Sequence, residues 1–510
     1  MCNTKTGLSL LICLGLWAGL SAQNRPVPPG LSPYTFERYD STAQGYYLGT
    51  PFRINAPPSS DKMLPLLILD PAGYVFWYRL IPTANLADFK YDPLRQRYSY
   101  INYKKPGEVW YTLLDSQLEP LDSFQTLNGI SPDAHDFQQT GAQRVLLPGI
   151  ADSIMDLSAY VFDGVPGAKQ TRVKGFVIQE IDQASRQLLF QWNSNEHLHP
   201  SLAYDAYGYS AAGFDYCHGN SIDQDAQGDF LVSFRHLNSV VKIRRSDGGV
   251  AWQLGGKSSS FSFANDGGFS GQHDARWLPN GNLALFDNAN TAPDPKISRA
   301  VEYQLDTINW VATKVWEYQY QPGFYSPGMG NHQTTPERLH LINYGLIYRP
   351  FPSVVLTDDQ GALLSKWVLD NADMSYRSFW YEIPTAGLQR PLIQCARPNG
   401  QLTLQAPPGR LRYAWSTGDT TASILVPAAG VYQVWVDQGL GMLGSEPFWV
   451  ENLDATCPLS SAPAVPDPET APGVQAYFDL LGRPVSTPAA GQLLLVLYRN
   501  GVARLELWRE

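Results

Sequence analysis

Three histidines sit in short polar motifs whose residue types could do chemistry together. They are His135 in Ala134-His135-Asp136-Phe137, His218 in Cys217-His218-Gly219-Asn220-Ser221, and His273 in Gln272-His273-Asp274-Ala275. Arg235, in Ser233-Phe234-Arg235-His236, follows the second. The chain has 8 histidines in 510 residues, so three similar settings stand out. A neutral imidazole is a competent nucleophile near neutral pH. A guanidinium clamps oxyanions with two parallel N–H donors. Together they are chemistry for holding and attacking a sulfate or phosphate group.

Elements must bring these residues together, and a weak repeat from about Tyr34 to Pro384 supplies them. Each unit tends to carry a Gly turn, a β-rich run and a closing tryptophan: Trp77, Trp192, Trp252, Trp316 and Trp367. The later tryptophans lie roughly 50 to 65 residues apart, and the gap from Trp77 to Trp192 leaves room for one unmarked unit. A turn followed by a buried strand recurs ahead of the tryptophan, as in Asp225-Ala226-Gln227-Gly228-Asp229-Phe230 and Pro279-Asn280-Gly281-Asn282-Leu283. The spacing predicts an all-β chain with a β-propeller of about six blades, the alternative being a pair of β-sandwiches. His135, His218 and His273 each open a strand, and such positions converge on the channel of a propeller. Asp136, Asp274 and Asp287 could orient the imidazoles or cap turns. His197 and His199, with Tyr207 and Tyr209, could border an aromatic pocket.

Composition narrows the classes. Hydrophobic content of 44% and charged content of 16% read as globular, and 39 Pro with 43 Gly fit a turn-rich β protein. A net charge of -10 without a basic tract argues against nucleic acid as a partner. Residues 1–22 read as a signal peptide: Lys5, a short apolar run from Leu8 to Leu20, then Ser21-Ala22. No further membrane span is expected after its removal. Cys395 and Cys457 bracket one candidate domain and could pair, since export permits it. Cys217 would then be a free thiol, read as a small buried residue. The absence of a CxxC pair disfavours a cysteine zinc site.

Past Pro384 the texture changes. Residues 391–455, with Tyr413-Ala414-Trp415 and Gly430-Val431-Tyr432, read as a small β-sandwich. They resemble the Ig-like or PKD-like modules of secreted Bacteroidetes proteins. A Pro/Ala-rich linker covers 460–472. Residues 473–510, with Asp479-Leu480-Leu481-Gly482-Arg483, resemble a type IX secretion sorting domain.

The stretch from Phe214 to Asn290 resembles the arylsulfotransferase family, and the likeness extends over about 34–384. It rests on His218-Gly219-Asn220-Ser221, Ser233-Phe234-Arg235-His236, Trp252-Gln253-Leu254-Gly255-Gly256-Lys257, Gln272-His273-Asp274-Ala275-Arg276-Trp277 and Leu285-Phe286-Asp287-Asn288. The resemblance implies an exported, nucleotide-independent enzyme on a six-bladed propeller, in a Gram-negative bacterium. It would move a sulfuryl group from an aryl sulfate donor to a phenol acceptor, and the tail would engage the type IX secretion machinery. By that likeness His273 takes up the sulfuryl group as a sulfohistidine. His218, Asn220 and Arg235 hold the sulfate, His135 is a further catalytic histidine, and Gln333 lines the same channel. His218 or His135 could protonate the departing phenolate. No metal or diffusible cofactor is required. Competing readings are a non-catalytic propeller binding a sulfated or glycan ligand, and a three-histidine metal site, which Arg235 weakens by charge.

Overall fold

The computed structural model describes residues 23–53, 62–141, 143–370, 373–439, 441–454 and 457, with four strands of the C-terminal tail. The expected signal peptide, the 460–472 linker and the Asp479–Arg483 turn lie outside the described residues. The described chain is built of strands and short 3₁₀ turns, with no α-helix. It divides into two units, Gln23–Cys457 and a second holding Pro458–Glu510. Among its described residues, the tail has strands Val474–Phe478, Pro484–Val485, Leu493–Tyr498 and Ala503–Leu507 in one antiparallel sheet.

Within Gln23–Cys457, six sheets of four or more strands follow one another among the described residues. Sheet two runs through Asn85–Asp92, Arg97–Lys105, Glu108–Leu114 and Pro120–Phe124. Sheet three has Gln138–Thr140, Arg144–Met155, Thr171–Asp182 and Leu188–Asn193 as its main strands. Sheet four has Gly219–Gln224, Phe230–Phe234, Ser239–Ile243 and Val250–Gly255. Sheet five has His273–Trp277, Leu283–Asp287, Arg299–Asp306 and Val311–Tyr318.

The two remaining sheets exchange chain ends. Sheet six, from Asn331–Thr334 to Leu363–Leu369, takes Tyr34–Arg38 on its outer edge, in register from Tyr34 opposite Leu369 to Arg38 opposite Ser365. Sheet one, built on Tyr46–Gly49, Met63–Leu69 and Val75–Pro82, takes Ser378–Tyr381 as its first strand. This exchange pairs sheet edges that would otherwise be exposed.

The first strands form a ring. Gln138–Thr140 packs on Gly219–Gln224, that on His273–Trp277, then Asn331–Thr334, Ser378–Tyr381 and Asn85–Asp92. Lys90 on Asn85–Asp92 closes the circuit by an ion pair of 3.3 Å to Asp136. Inner strands such as Phe230–Phe234 are buried on both faces, as expected of a sheet packed between two others, while Val311–Tyr318 at the rim is half exposed. Trp77, Trp192, Trp252, Trp316 and Trp367 each lie on the fourth strand of a sheet. The gap between Trp77 and Trp192 is occupied by sheet two.

A buried charge cluster lies at the ring's centre. Arg377, fully buried, pairs with Asp88 at 2.9 Å, Asp136 at 3.1 Å and Asp274 at 3.3 Å. Arg276 joins Asp136 and Asp274, and Lys90 joins Asp88. Burial pushes the Asp136 carboxyl up, but Arg276, Lys90 and Arg377 outweigh it and hold it far below the usual range. The acids come from three different sheets, so these bonds tie the sheets together. A cluster of this kind specifies one arrangement rather than adding much net stability.

Residues 391–455 do not hang from the rest by a linker alone. Met442–Gly444 pairs antiparallel with Val75–Pro82, so sheet one continues through Val434–Asp437 to Tyr413–Trp415. The Trp435 indole and the Gln433 amide each donate to the Val75 carbonyl at 2.9 Å. Cys395 and Cys457 form a disulfide, and Cys217 is free and buried.

Candidate active site

His218 and Arg235 are set by one stretch of pairing. Where Gly219–Gln224 meets Phe230–Phe234, the ladder continues past the sheet: Arg235 N–H donates to the His218 carbonyl at 3.0 Å and His236 N–H to Cys217 at 3.1 Å. The chain then reverses at Asn238, in the left-handed region with φ of 47°. Gly255 and Gly256 lie so close to this turn that a side chain would strike the Asn238 and Leu237 carbonyls at 2.7 and 2.5 Å. That accounts for the glycine pair of the Trp252-Gln253-Leu254-Gly255-Gly256 motif.

Three imidazoles have their Nδ1 atoms pinned. His135 Nδ1 bonds Asp133 at 2.6 Å, and His218 Nδ1 bonds Asp215 at 2.7 Å. His273 Nδ1 bonds the Asn288 side-chain oxygen at 2.7 Å. The Asn288 amide nitrogen donates to Ser326 and Met329 carbonyls, so its oxygen must face the ring and Nδ1 carries the proton. Gly271, at φ of 63°, also presents its carbonyl to Nδ1 at 3.1 Å. A Cβ there would lie 1.9 Å from Asn290. In each ring Nε2 is left for exchange or attack. On His273 it accepts only a long bond, 3.3 Å, from Met329 N–H.

A fourth ring, His236, completes the cluster. It stacks on His218 at 4.6 Å, His218 meets His135 edge-on at 5.0 Å, and Tyr376 flanks His135 at 5.7 Å. His236 donates from Nδ1 to the Asp215 carbonyl and accepts an Arg235 N–H at Nε2, at 2.6 and 3.0 Å. It is therefore neutral; burial first, then His218, drive its pKa down to about 3. Asp215, His218 and His236 could gather a cation. Arg235 occupies the His236 nitrogen that would have to bind it, and its charge opposes a dication.

The rings are tuned in opposite senses. Burial, then the Arg235 guanidinium, hold the His273 pKa well below the ordinary 6.5, with His218 and His135 adding to the effect. Burial also pulls His135 down, but Asp133 and Asp215 outweigh it and leave its pKa above the ordinary value. A ring whose pKa is lowered beside one whose pKa is raised is an arrangement that could pair a nucleophile with an acid.

Of the sequence-predicted residues, the structure thus brings His135, His218, Arg235 and His273 together. Asn220 is fully buried, and its amide donates to the Gln272 carbonyl at 2.8 Å, linking sheets four and five. Gln333 bonds the Trp380 backbone with both ends of its amide, donating at 2.9 Å and accepting at 2.8 Å. Asp136 and Asp274 do not orient imidazoles: the buried Arg276 and Arg377 claim them. Asp287 caps Ser270 and Ala289 N–H groups and pairs with Arg299. The orienting acids are Asp133 and Asp215, which precede their histidines. Burial, then Asp215, push the Cys217 thiol up to about 12, which fits a packing role. His197 stacks on Trp192 and His199 caps a 3₁₀ turn, while Tyr207 stacks on His236 at 4.4 Å. Tyr209 packs on Phe162.

His332 and His340 belong to a separate buried cluster. Their rings meet at 3.0 Å, His340 Nε2 bonds Asp359 at 3.1 Å, and Thr334 links them to Glu302. Arg338 pairs with Glu302 and Asp359, and Trp316 stacks on His340 at 3.8 Å. Burial first drives His340 down to about 4.

Comparison with known proteins agrees with the motifs. Residues 117–364 match the family model for arylsulfotransferase (ASST). Arylsulfate sulfotransferase AssT of Escherichia coli O6:H1 strain CFT073 is 30% identical over 155 residues, 22% of this chain and 25% of that protein. The chain thus spans about a quarter of the length of the curated relative it matches. Among solved structures, a protein of unknown function from Bacteroides caccae aligns with TM-score 0.41 and 11% identity over 67% of this chain and all of its own. TolB from Acinetobacter baumannii aligns with TM-score 0.35 and 12% identity over 66% of each chain. The periplasmic gluconolactonase PpgL of Pseudomonas aeruginosa aligns with TM-score 0.36 and 12% identity over 67% of this chain and 99% of that one.

Proposed function

We propose that this protein moves a sulfuryl group from an aryl sulfate to a phenol through a sulfohistidine at His273. The observation that carries the reading is His273 itself: neutral, with its one proton held on Nδ1 by Asn288 so that Nε2 keeps its lone pair, and beside a guanidinium that has no carboxylate partner among the described residues. In the first half-reaction His273 Nε2 forms a bond to sulfur as the S–O bond to the ring breaks. The electron pair leaves with the phenolate oxygen, which takes a proton from His135 Nε2. Arg235 bears the charge on the sulfuryl oxygens. In the second half-reaction an acceptor phenol returns its proton to His135, its oxygen bonds to sulfur, and the S–N bond breaks. Such a path gives ping-pong kinetics.

On this reading the six sheets are blades of a propeller over 34–384, with the site at the mouth of the ring. Residues 391–455 are an Ig-like module, and 473–510 a type IX sorting domain that follows export behind a signal peptide. A second reading, a binder of sulfated ligands, is favoured by one contact: the Met329 N–H occupies the lone pair that must attack.

Turnover of 4-nitrophenyl sulfate with added phenol, in wild type and His273→Ala, tests the proposal. Acceptor-dependent nitrophenol release that disappears in the variant is expected. A folded wild type that turns over none of several aryl sulfates would leave the binding reading.

A further inference from the structure

A polar cavity of about 410 Å³ opens beside the imidazole cluster, lined by Tyr207, Arg235, His236, Asn290, Lys296 and Tyr325, with Ala206. No carboxylate lines it. Arg235 donates only to neutral groups, His236 Nε2 and the Pro327 carbonyl at 3.1 Å. Lys296 donates to the Asn290 carbonyl at 2.7 Å. Neither cation has an ion-pair partner among the described residues. Each lies over a tyrosine face, Arg235 4.9 Å from Tyr207 and Lys296 5.4 Å from Tyr325. The Tyr325–Met329 segment joins this cavity to the nucleophile. Its Pro327 carbonyl receives Arg235 and Asn290, and its Met329 N–H reaches His273.

Two unpaired cations facing one cavity call for two negative charges on the occupant, and tyrosine walls call for a ring. A simple aryl sulfate has one negative charge, which Arg235 would meet at the sulfuryl group. Lys296 is then left over. We propose that the cavity selects aromatic dianions, namely aryl sulfates bearing a second anionic substituent such as a carboxylate, with Lys296 the residue that recognises that second charge. This rests on the transfer reading for what happens at sulfur, but binding alone can test it.

The test compares 4-carboxyphenyl sulfate with 4-carbamoylphenyl sulfate, equal in shape but differing by one charge. Binding is measured by calorimetry and turnover by phenol release, in wild type and Lys296→Met. Wild type is expected to bind the carboxylate about tenfold more tightly, the order of one charge-assisted contact. In Lys296→Met that gap should close to within about twofold, with carboxamide binding unchanged. Equal binding of the two by wild type, no binding of either, or a gap that survives in Lys296→Met overturns the inference. Discrimination in binding without turnover of either compound keeps the inference and defeats the transfer reading. Turnover without discrimination does the reverse.

Discussion

Two clusters of histidines, each holding two buried rings, stand in this molecule, and their differences are more instructive than their likeness. The first gathers His135, His218, His236 and His273; the second, His332 and His340. Both mix imidazoles with acids and an arginine. In the second, charge is closed on itself: Arg338 meets Glu302 and Asp359, Thr334 donates to Glu302, and His340 donates to Asp359. In the first, Arg235 meets only neutral acceptors and a cavity adjoins it. On the proposed reading of the first cluster, histidine burial is therefore a poor mark of a reaction centre. Unspent charge facing open volume is a better one, because a preorganised group with no internal partner has its interaction left for a ligand.

Replacing the arginine of each cluster should break the comparison most sharply. Arg235→Gln is expected to lower kcat/KM for aryl sulfate by about a hundredfold or more, as loss of a preorganised donor does, with little change in melting temperature. Arg338→Gln should do the opposite. It leaves Glu302, fully buried, without its main counter-charge, and should destabilise the fold by about 2–3 kcal/mol, below the usual figure because Arg338 is a third exposed. Its kcat/KM should stay within about twofold of wild type. Urea unfolding and steady-state kinetics on both variants decide it, and equal effects of the two would erase the distinction.

Acid should act on both clusters alike in stability but not in activity. His340, at about 4, and His236, at about 3, have folded pKa values below the ordinary 6.5, and His273 and His332 are also lowered. The unfolded chain therefore binds more protons between pH 6.5 and 4. Stability is fully present above 6.5 and falls as pH drops through that window, by up to about 3 kcal/mol for a histidine such as His340. His135 is shifted the other way, so its share is present at low pH and lost as pH rises past its raised value. Activity should fall on that same alkaline side, as the acid loses its proton, while His273 is neutral there. Melting curves from pH 8 to 4 for wild type and His340→Gln check the first half: the variant should lose less on acidification. A pH–rate profile checks the second, and an activity that rises above pH 8 would contradict the assignment of His135.

Much of this was legible in the chain, for identifiable reasons. Histidine is scarce here, so three polar motifs were visible, and the tryptophans marked fourth strands because a large ring seals the outer part of a sheet. What escaped was set by geometry rather than spacing. Asp136 and Asp274 adjoin their histidines, yet Asp136 lies just before the strand Gln138–Thr140 and Asp274 takes φ of 56° at a break in the strand register, and both turn toward Arg377. Asp133 and Asp215 reach back only because the intervening backbone turns: Asp133 also accepts the His135 N–H at 2.9 Å, and His218 sits at φ of 48°. Arg377 follows no motif, and its partners lie 103 to 289 residues away. The joining of 391–455 to sheet one depends on edge pairing between Met442–Gly444 and Val75–Pro82, which no local pattern encodes.

Gln333 offers the finest cut between the two kinds of role. Its neighbours His332 and Thr334 belong to the closed cluster, while its own strand packs against His273–Trp277. Sequence likeness put it in the channel; the structure spends both of its polar ends on the Trp380 backbone. A side chain bonded at both ends to the first strand of sheet one acts as a clasp between sheets six and one. Gln333→Leu leaves that backbone N–H and carbonyl short of partners, so the expected cost is about 1–2 kcal/mol. If the clasp is all it does, KM and kcat for aryl sulfate should be unchanged at a temperature where the variant is folded. A rise in KM without loss of stability would place Gln333 with the first cluster instead. It would mean that the amide leaves Trp380 for the ligand, and that the boundary between closed and open charge runs one residue nearer His332.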